Sequence, residues 1–314
     1  MPAAFVHYTF VKENTNNKAP FHNIRIVGGE GPDVFLFYGY SLHKRKNVED
    51  VRKFGTFLHH CNATEAFDFM VSYARNSEYS DMLLAYLRGV FMHYILDRDV
   101  HPYVFYRSGF PLTNEPFEQA DGLINHQYFE GALDYLYAKK HKTLINPKWF
   151  IKLDKESGMR ISRMYYQLAQ FLGISSIEED TFYLAYLDMR ISLRFLFSRT
   201  GFKKIIFHRI FKNKTVDAMA TPHNDKKFAK FDILNESHTV WRDCITNAPR
   251  QESIDDLISQ AAFEARDITP IFLEDSDLER KKMIGFFIKN IDHDGFAVGE
   301  KKFFSAGKLI IGKK

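Results

Sequence analysis

The chain has 314 residues, 45% hydrophobic and 26% charged, with a formal net charge of +4. That balance excludes an intrinsically disordered polymer and supplies enough apolar residues for one sizeable core, with or without an appendage. Two cysteines, Cys61 and Cys244, exclude a disulfide framework and a thiolate metal site of the finger type. No apolar run reaches 18 residues, and Met1-Pro-Ala-Ala-Phe-Val-His7 lacks a charged segment followed by an apolar one, so a soluble cytoplasmic protein is expected.

Helical periodicity dominates and strand-like alternation is scarce, so the fold class is read as all-α. Val27-Gly-Gly-Glu-Gly-Pro-Asp33 reads as a turn before the apolar run Val34 to Tyr38, and it lacks the Lys and Ser/Thr of a phosphate-binding loop. Asn62 is placed to cap a helix ending at Arg75, with Ala66, Phe67, Met70 and Tyr73 on one side. Ser80 or Asp81 opens a longer helix through Leu84, Tyr86, Leu87, Val90, Phe91 and Tyr94, which carries His93 and Asp97. Pro102 disfavours helical geometry at the residue before it, so His101 is expected at the fraying end, turned away from His93 and Asp97.

Further helices are predicted at 118–139, 154–172, 178–198, 252–267 and 276–290, with loops at 108–116 and 213–230. The many Phe and Tyr side chains, Phe35, Phe37, Tyr38 and Tyr103 among them, read first as core. Residues 199–214 hold six Lys or Arg and no acid, interleaved with Phe and Ile. They form either an ordinary basic surface helix or an amphipathic face for a membrane surface or polyanion. Five lysines and no acid follow Glu300, marking 301–314 as a basic tail.

Metal chemistry is written in the spacing. His93, Asp97 and His101 stand at four-residue intervals, and His126 and Glu130 repeat the interval. Residues four apart share a helical face. Either pair alone is explained by a hydrogen bond along the helix or by a solvated pair, worth a few tenths of a kcal/mol. Two pairs embedded in apolar helices, where unpaired charge is costly, favour a metal instead. His7, Asp33 and either His59 or His60 complete the candidates. His22, His43, His141, His208, His223, His238 and His293 show no ligand-like spacing and are left out. Imidazole with carboxylate and no thiolate suits zinc, with iron or manganese as competitors, and Asp97 between two histidines can bridge two ions.

Gly31-Pro32-Asp33 before an aromatic run, Leu58-His59, Leu87-Arg-Gly-Val-Phe-Met-His93-Tyr-Ile-Leu-Asp97, His101-Pro102-Tyr103 and the His126, Glu130 pair resemble the zinc-dependent phospholipase C family. The resemblance covers about the first 140 residues, and more weakly Trp241 to Ala265. It implies a compact multi-helix domain around two or three zinc ions, a fold shared with single-strand nucleases. Asp33, His59, His93 and Asp97 would then hold one ion. His101, His126 and Glu130 would hold a second, and His7, Asp97 and the amino-terminal residue a third. Secreted members present an N-terminal Trp, where this chain begins Met1-Pro2, and place the third ligand six residues after the aspartate rather than four.

These readings make residues 1–200 a metal-binding helical core and 201–300 a helical completion of the same domain. The expected activity is phosphoester hydrolysis, phospholipase C-like, with water activated at the zinc centre attacking phosphorus and with Asp33 and Asp97 as catalytic carboxylates. The substrate class is a phosphoester, with phospholipid as one candidate, and residues 199–214 as the membrane-surface contact. A nuclease or phosphomonoesterase with the same ions is the second reading, although nucleic acid is the less favoured partner. A metal-binding protein without turnover is the third.

Overall fold

The computed structural model describes residues 4–41, 43–108, 116–141, 152–196 and 231–298, with 116–125 and 196 by their backbone alone. The stretch 199–214, the loop 213–230, the tail 301–314 and the amino-terminal residue lie outside these. In chain order come α1 (Ala4–Glu13), α2 (His22–Gly28), a 3-10 segment (Gly31–Phe37), α3 (Val48–His60), α4 (Ala63–Arg75), α5 (Ser80–Ser108) and α6 (Pro116–Lys140). They are followed by α7 (Lys155–Phe171), α8 (Thr181–Leu196), β1 (Trp241–Arg242), β2 (Pro249–Arg250), α9 (Ile254–Asp267), α10 (Thr269–Leu273) and α11 (Asp277–Ile288). The expected all-α class holds: the regular elements among the described residues are helices, apart from the two-residue antiparallel pair of β1 and β2, in which Trp241 faces Arg250, and an isolated bridge between Ile291 and Ala297.

Local chemistry sets several of the helix starts. Asn62 accepts from the Thr64 amide, Asp154 from the Ser157 amide and Ser276 from the Glu279 amide, each satisfying a donor that the first turn leaves open. Ser253 and Asp256 exchange bonds as a capping box at the start of α9.

Helix α5 is the axis of the fold. At 29 residues it is about 43 Å long, and it is buried on nearly every side, with α1, α2, α4, α6, α7, α9 and β1 all packed on it. Its crossing with α2 depends on glycine at both contact points. A Cβ on Gly89 would lie 2.0 Å from the Arg25 carbonyl oxygen, and one on Gly28 would lie 2.1 Å from that of Tyr86.

The structure corrects one expectation here. Pro102 does not end α5, and His101 does not fray: the helix continues through the proline to Ser108. Proline in a helix interior costs about 3 kcal/mol through the lost bond to the carbonyl four residues back, here Arg98. Beyond it, however, Tyr103, Val104 and Phe105 are buried, at about 1.5–3 kcal/mol each. Tyr103 is also held by a hydroxyl bond to the Ile233 carbonyl and an edge contact with Trp241. Burial outweighs the proline, and His101 stays one turn below Asp97 on the same face.

The aromatic stripes are core, as expected: Phe35 packs edge-on against Phe54, Tyr165 and Phe182, while Phe67 meets Phe91. The C-terminal helices pack onto the same body, α9 against α5 and α11 against α4. Arg280 of α11, fully buried, reaches Ser72 of α4 at 2.6 Å and Asp277 at 2.7 Å. No helix among the described residues is long and apolar enough to cross a membrane.

Gly89→Ala forces its new methyl group into the Arg25 backbone, so we expect a loss of about 3 kcal/mol in chemical denaturation, at the upper end for overpacking. A change below about 1 kcal/mol would contradict the α2–α5 crossing.

Candidate metal centre

Five elements bring the sequence candidates together. On α1, Asp134 of α6 accepts from the backbone N–H groups of Phe5 (3.2 Å) and Val6 (3.0 Å). This anchors the first turn, and His7 then sets its Nε2 2.9 Å from Asp97 Oδ1 while its ring stacks on His93 at 4.3 Å. The 3-10 segment supplies Asp33 beside His59 of α3, Oδ1 to Nε2 3.0 Å. Gly31 opens that segment with φ +50°, and a Cβ there would stand 2.3 Å from His93 Cδ2. Only glycine both adopts this conformation and leaves the imidazole its space.

Helix α5 contributes His93, Asp97 and His101. His93 Nε2 lies 3.0 Å from Asp97 Oδ2, and His101 Nε2 lies 3.9 Å from Asp97 Oδ1 and 3.6 Å from Glu130 Oε1. On α6, His126 Nε2 is 2.9 Å from Glu130 Oε1. The buried donors form three groups, Asp33/His59/His93, His7/His93/Asp97 and His101/His126/Glu130, and a fourth, more exposed one joins His60, Asp292 and Asp294, with the atoms of each within 4.8 Å of one another. His93 belongs to two groups. Between His59 and His60 the geometry is one-sided, since His60 is half exposed and turns to Asp292 and Asp294 at 3.5 and 3.6 Å.

Backbone carbonyls orient the rings. His59 Nδ1 donates to the Gly55 carbonyl at 2.8 Å, His93 Nδ1 to that of Gly29 at 3.0 Å and His101 Nδ1 to that of His293 at 3.0 Å. A neutral imidazole so bonded turns its lone pair on Nε2 toward the neighbouring carboxylate, which also offers lone pairs. Such a meeting is unfavourable unless a cation sits between them or the ring takes a proton. Consistently, both Asp33 oxygens, His93 Nε2 and Asp97 Oδ2 are buried without a hydrogen bond. Orphaned buried donors of this kind, all nitrogen and oxygen, fit zinc, whose four ligands at about 2.1 Å stand about 3.4 Å apart.

Burial and neighbouring charge act on these groups in opposite senses. Burial alone would push the Asp97 carboxyl up, but His93, His101 and His7 hold it well below the usual carboxylate range. Burial lowers His101, yet Asp97, Asp294 and Glu130 raise it well above an ordinary imidazole. His59 is raised in the same way, Asp33 outweighing its burial. Asp134 is pushed up to about 8 by burial, against the pull of its two amide bonds.

Three residues of this centre escape the spacing argument. Asp134 continues the four-residue register of His126 and Glu130 and was there to be read. His293 and Asp294 carry no such periodicity; the only local sign is the run Asp292-His293-Asp294-Gly295, an imidazole between acids at a turn. His293 is buried against His59 (5.0 Å) and His93 (5.7 Å). Burial and the like charge of those two rings keep it well below an ordinary imidazole. Asp294 Oδ1 lies 3.2 Å from His101 Nδ1.

An all-α body that gathers buried imidazoles and carboxylates into three groups suits a metal-dependent hydrolase. The model of the family described as zinc dependent phospholipase C matches residues 30–176. Over that stretch the chain is similar to the zinc-dependent phospholipase C family. The match takes in Asp33, His59, His93, Asp97, His101, His126 and Glu130, and leaves His7 and residues 291–298 outside. Comparison with curated proteins gives no match, nor does comparison with solved structures.

Zinc held by His59 and His101 would compete with protons for two rings whose pKa values are raised, so its apparent affinity should rise with pH until both rings are neutral and fall as pH drops. Calorimetry at pH 7 in buffers of different ionisation enthalpy should show net proton release; zero release would contradict the assignment. His59→Ala should lower the zinc content of the purified protein, whereas His60→Ala should leave it unchanged by mass-spectrometric metal analysis.

Proposed function

We propose that this protein is a zinc-dependent phosphoester hydrolase of the phospholipase C type, with a phospholipid phosphodiester as substrate and two or three zinc ions as cofactor. The observation that supports this most is the sharing of donors: His93 joins two groups, and Asp97 faces His7, His93 and His101 at once. A structural zinc site needs one closed set of four ligands. Linked and incomplete sets are the arrangement of centres that bind substrate oxygens.

When bound, zinc supplies Lewis acidity for a phosphoryl oxygen and lowers the pKa of coordinated water. The chain's own residues do the rest. The carbonyls of Gly55, Gly29 and His293 hold the rings of His59, His93 and His101 with Nε2 inward before substrate arrives, so no reorganisation is needed. Asp33, with no hydrogen bond to either oxygen, is the carboxylate placed to accept the proton of the attacking water. Asp97, kept ionised by three imidazoles, holds the groups in register. Burial of the donors keeps bulk water away and strengthens each of these interactions. Residues 199–214, basic and aromatic, are the contact we propose for a lipid surface, in a cytoplasmic setting.

The test is a substrate panel on the zinc-loaded protein: phosphatidylcholine vesicles, single-stranded DNA and a phosphomonoester. Release of a phosphorylated headgroup from the vesicles is the expected outcome, with Asp33→Asn slower by about a hundred- to ten-thousandfold. Turnover of DNA alone would make the protein a nuclease, turnover of the monoester alone a phosphomonoesterase, and no turnover a metal-binding protein.

A further inference from the structure

His101 differs from the other histidines of the centre in what holds its outer nitrogen. His59 and His93 are oriented by carbonyls of Gly55 and Gly29, neutral groups. His101 Nδ1 instead meets a turn 192 residues further along the chain, with the His293 carbonyl at 3.0 Å and the Asp294 carboxylate at 3.2 Å.

That turn is built to hold its position. Asp292 Oδ1 accepts from the backbone N–H groups of Asp294 (3.0 Å) and Phe296 (2.9 Å), closing the turn on itself. The His293 amide donates to the His59 carbonyl at 3.1 Å, and the Tyr94 hydroxyl donates to the Ile291 carbonyl at 2.8 Å. The turn is thereby fixed to the end of α3 and to the middle of α5, two helices that carry residues of the centre. Asp294 is the side chain it delivers to His101.

We propose that Asp294 is a positioning residue for the His101/His126/Glu130 group, and that this turn makes the C-terminal region part of the metal centre. The inference rests on the hydrolase reading above. A carboxylate on the outer nitrogen fixes which ring nitrogen carries the proton, aims Nε2 at the ion and makes it a stronger donor, and losing such a partner typically weakens metal binding ten- to a hundredfold. The turn lies outside the stretch matched by the model of the zinc-dependent phospholipase C family, residues 30–176.

Zinc competition titrations of the full chain against a chromophoric chelator test this, using wild type, Asp294→Ala, Asp294→Asn and His101→Ala. We expect His101→Ala to abolish one binding step, and Asp294→Ala to weaken that same step ten- to a hundredfold while sparing the step of Asp33, His59 and His93. Asp294→Asn, which keeps an acceptor oxygen without the charge, should fall between. If Asp294→Ala does not fold, Asp294→Asn decides: a several-fold loss at the His101 step supports the inference, and wild-type affinity overturns it. Equal weakening of every step in either variant also overturns it, because that marks a merely structural turn. A wild-type chain that takes up no zinc overturns this inference and the hydrolase reading together, whereas unchanged zinc binding by Asp294→Ala and Asp294→Asn removes this inference alone.

Discussion

A carboxylate taken out of water inside a helical body stays ionised only if cations stand close to it, and Asp97 is such a carboxylate at the middle of the longest helix. Burying an ion costs several kcal/mol even after relaxation. The imidazoles of His7, His93 and His101 beside it offset that cost and hold the carboxyl well below the usual carboxylate range. Much of the architecture serves this requirement. His7 reaches Asp97 because Asp134 anchors the first turn of α1, and His93 keeps its place because Gly31 lacks a side chain.

The same helix shows how packing overrules local preference. Pro102 is a breaker by its ring and its missing N–H, and in isolation it would end α5 at His101. The wall of Tyr103, Val104, Phe105 and Trp241 buries more apolar surface than the proline forfeits. His101 is therefore held by continuing helix, and its distance of 3.9 Å from Asp97 follows from one helical turn rather than from a corner.

The centre draws on three kinds of support with different ranges. The histidine–carboxylate pairs along α5 and α6 are local, since one turn of helix places them. The partnership of His59 with Asp33 needs two neighbouring elements to pack. The turn at residues 291–298 is long-range: it touches His59 with a backbone amide and His101 with a carbonyl and a carboxylate, binding α3, α5 and the C-terminal region into one unit.

Sequence alone determined the all-α class and the approximate helix spans, because apolar periodicity and capping residues act within a few positions of one another. It also determined that His93 with Asp97, and His126 with Glu130, share helix faces, because the four-residue spacing fixes this whatever surrounds the helix. It preferred His59 to His60 only through the family resemblance, and it passed over His293 and Asp294. Adjacent residues differ only in which way the folded helix faces, and a turn reaching back across 192 residues has no local signature. Tertiary structure alone decided these, and decided that α5 continues past Pro102, because each depends on contacts whose energies arise only once distant segments have packed.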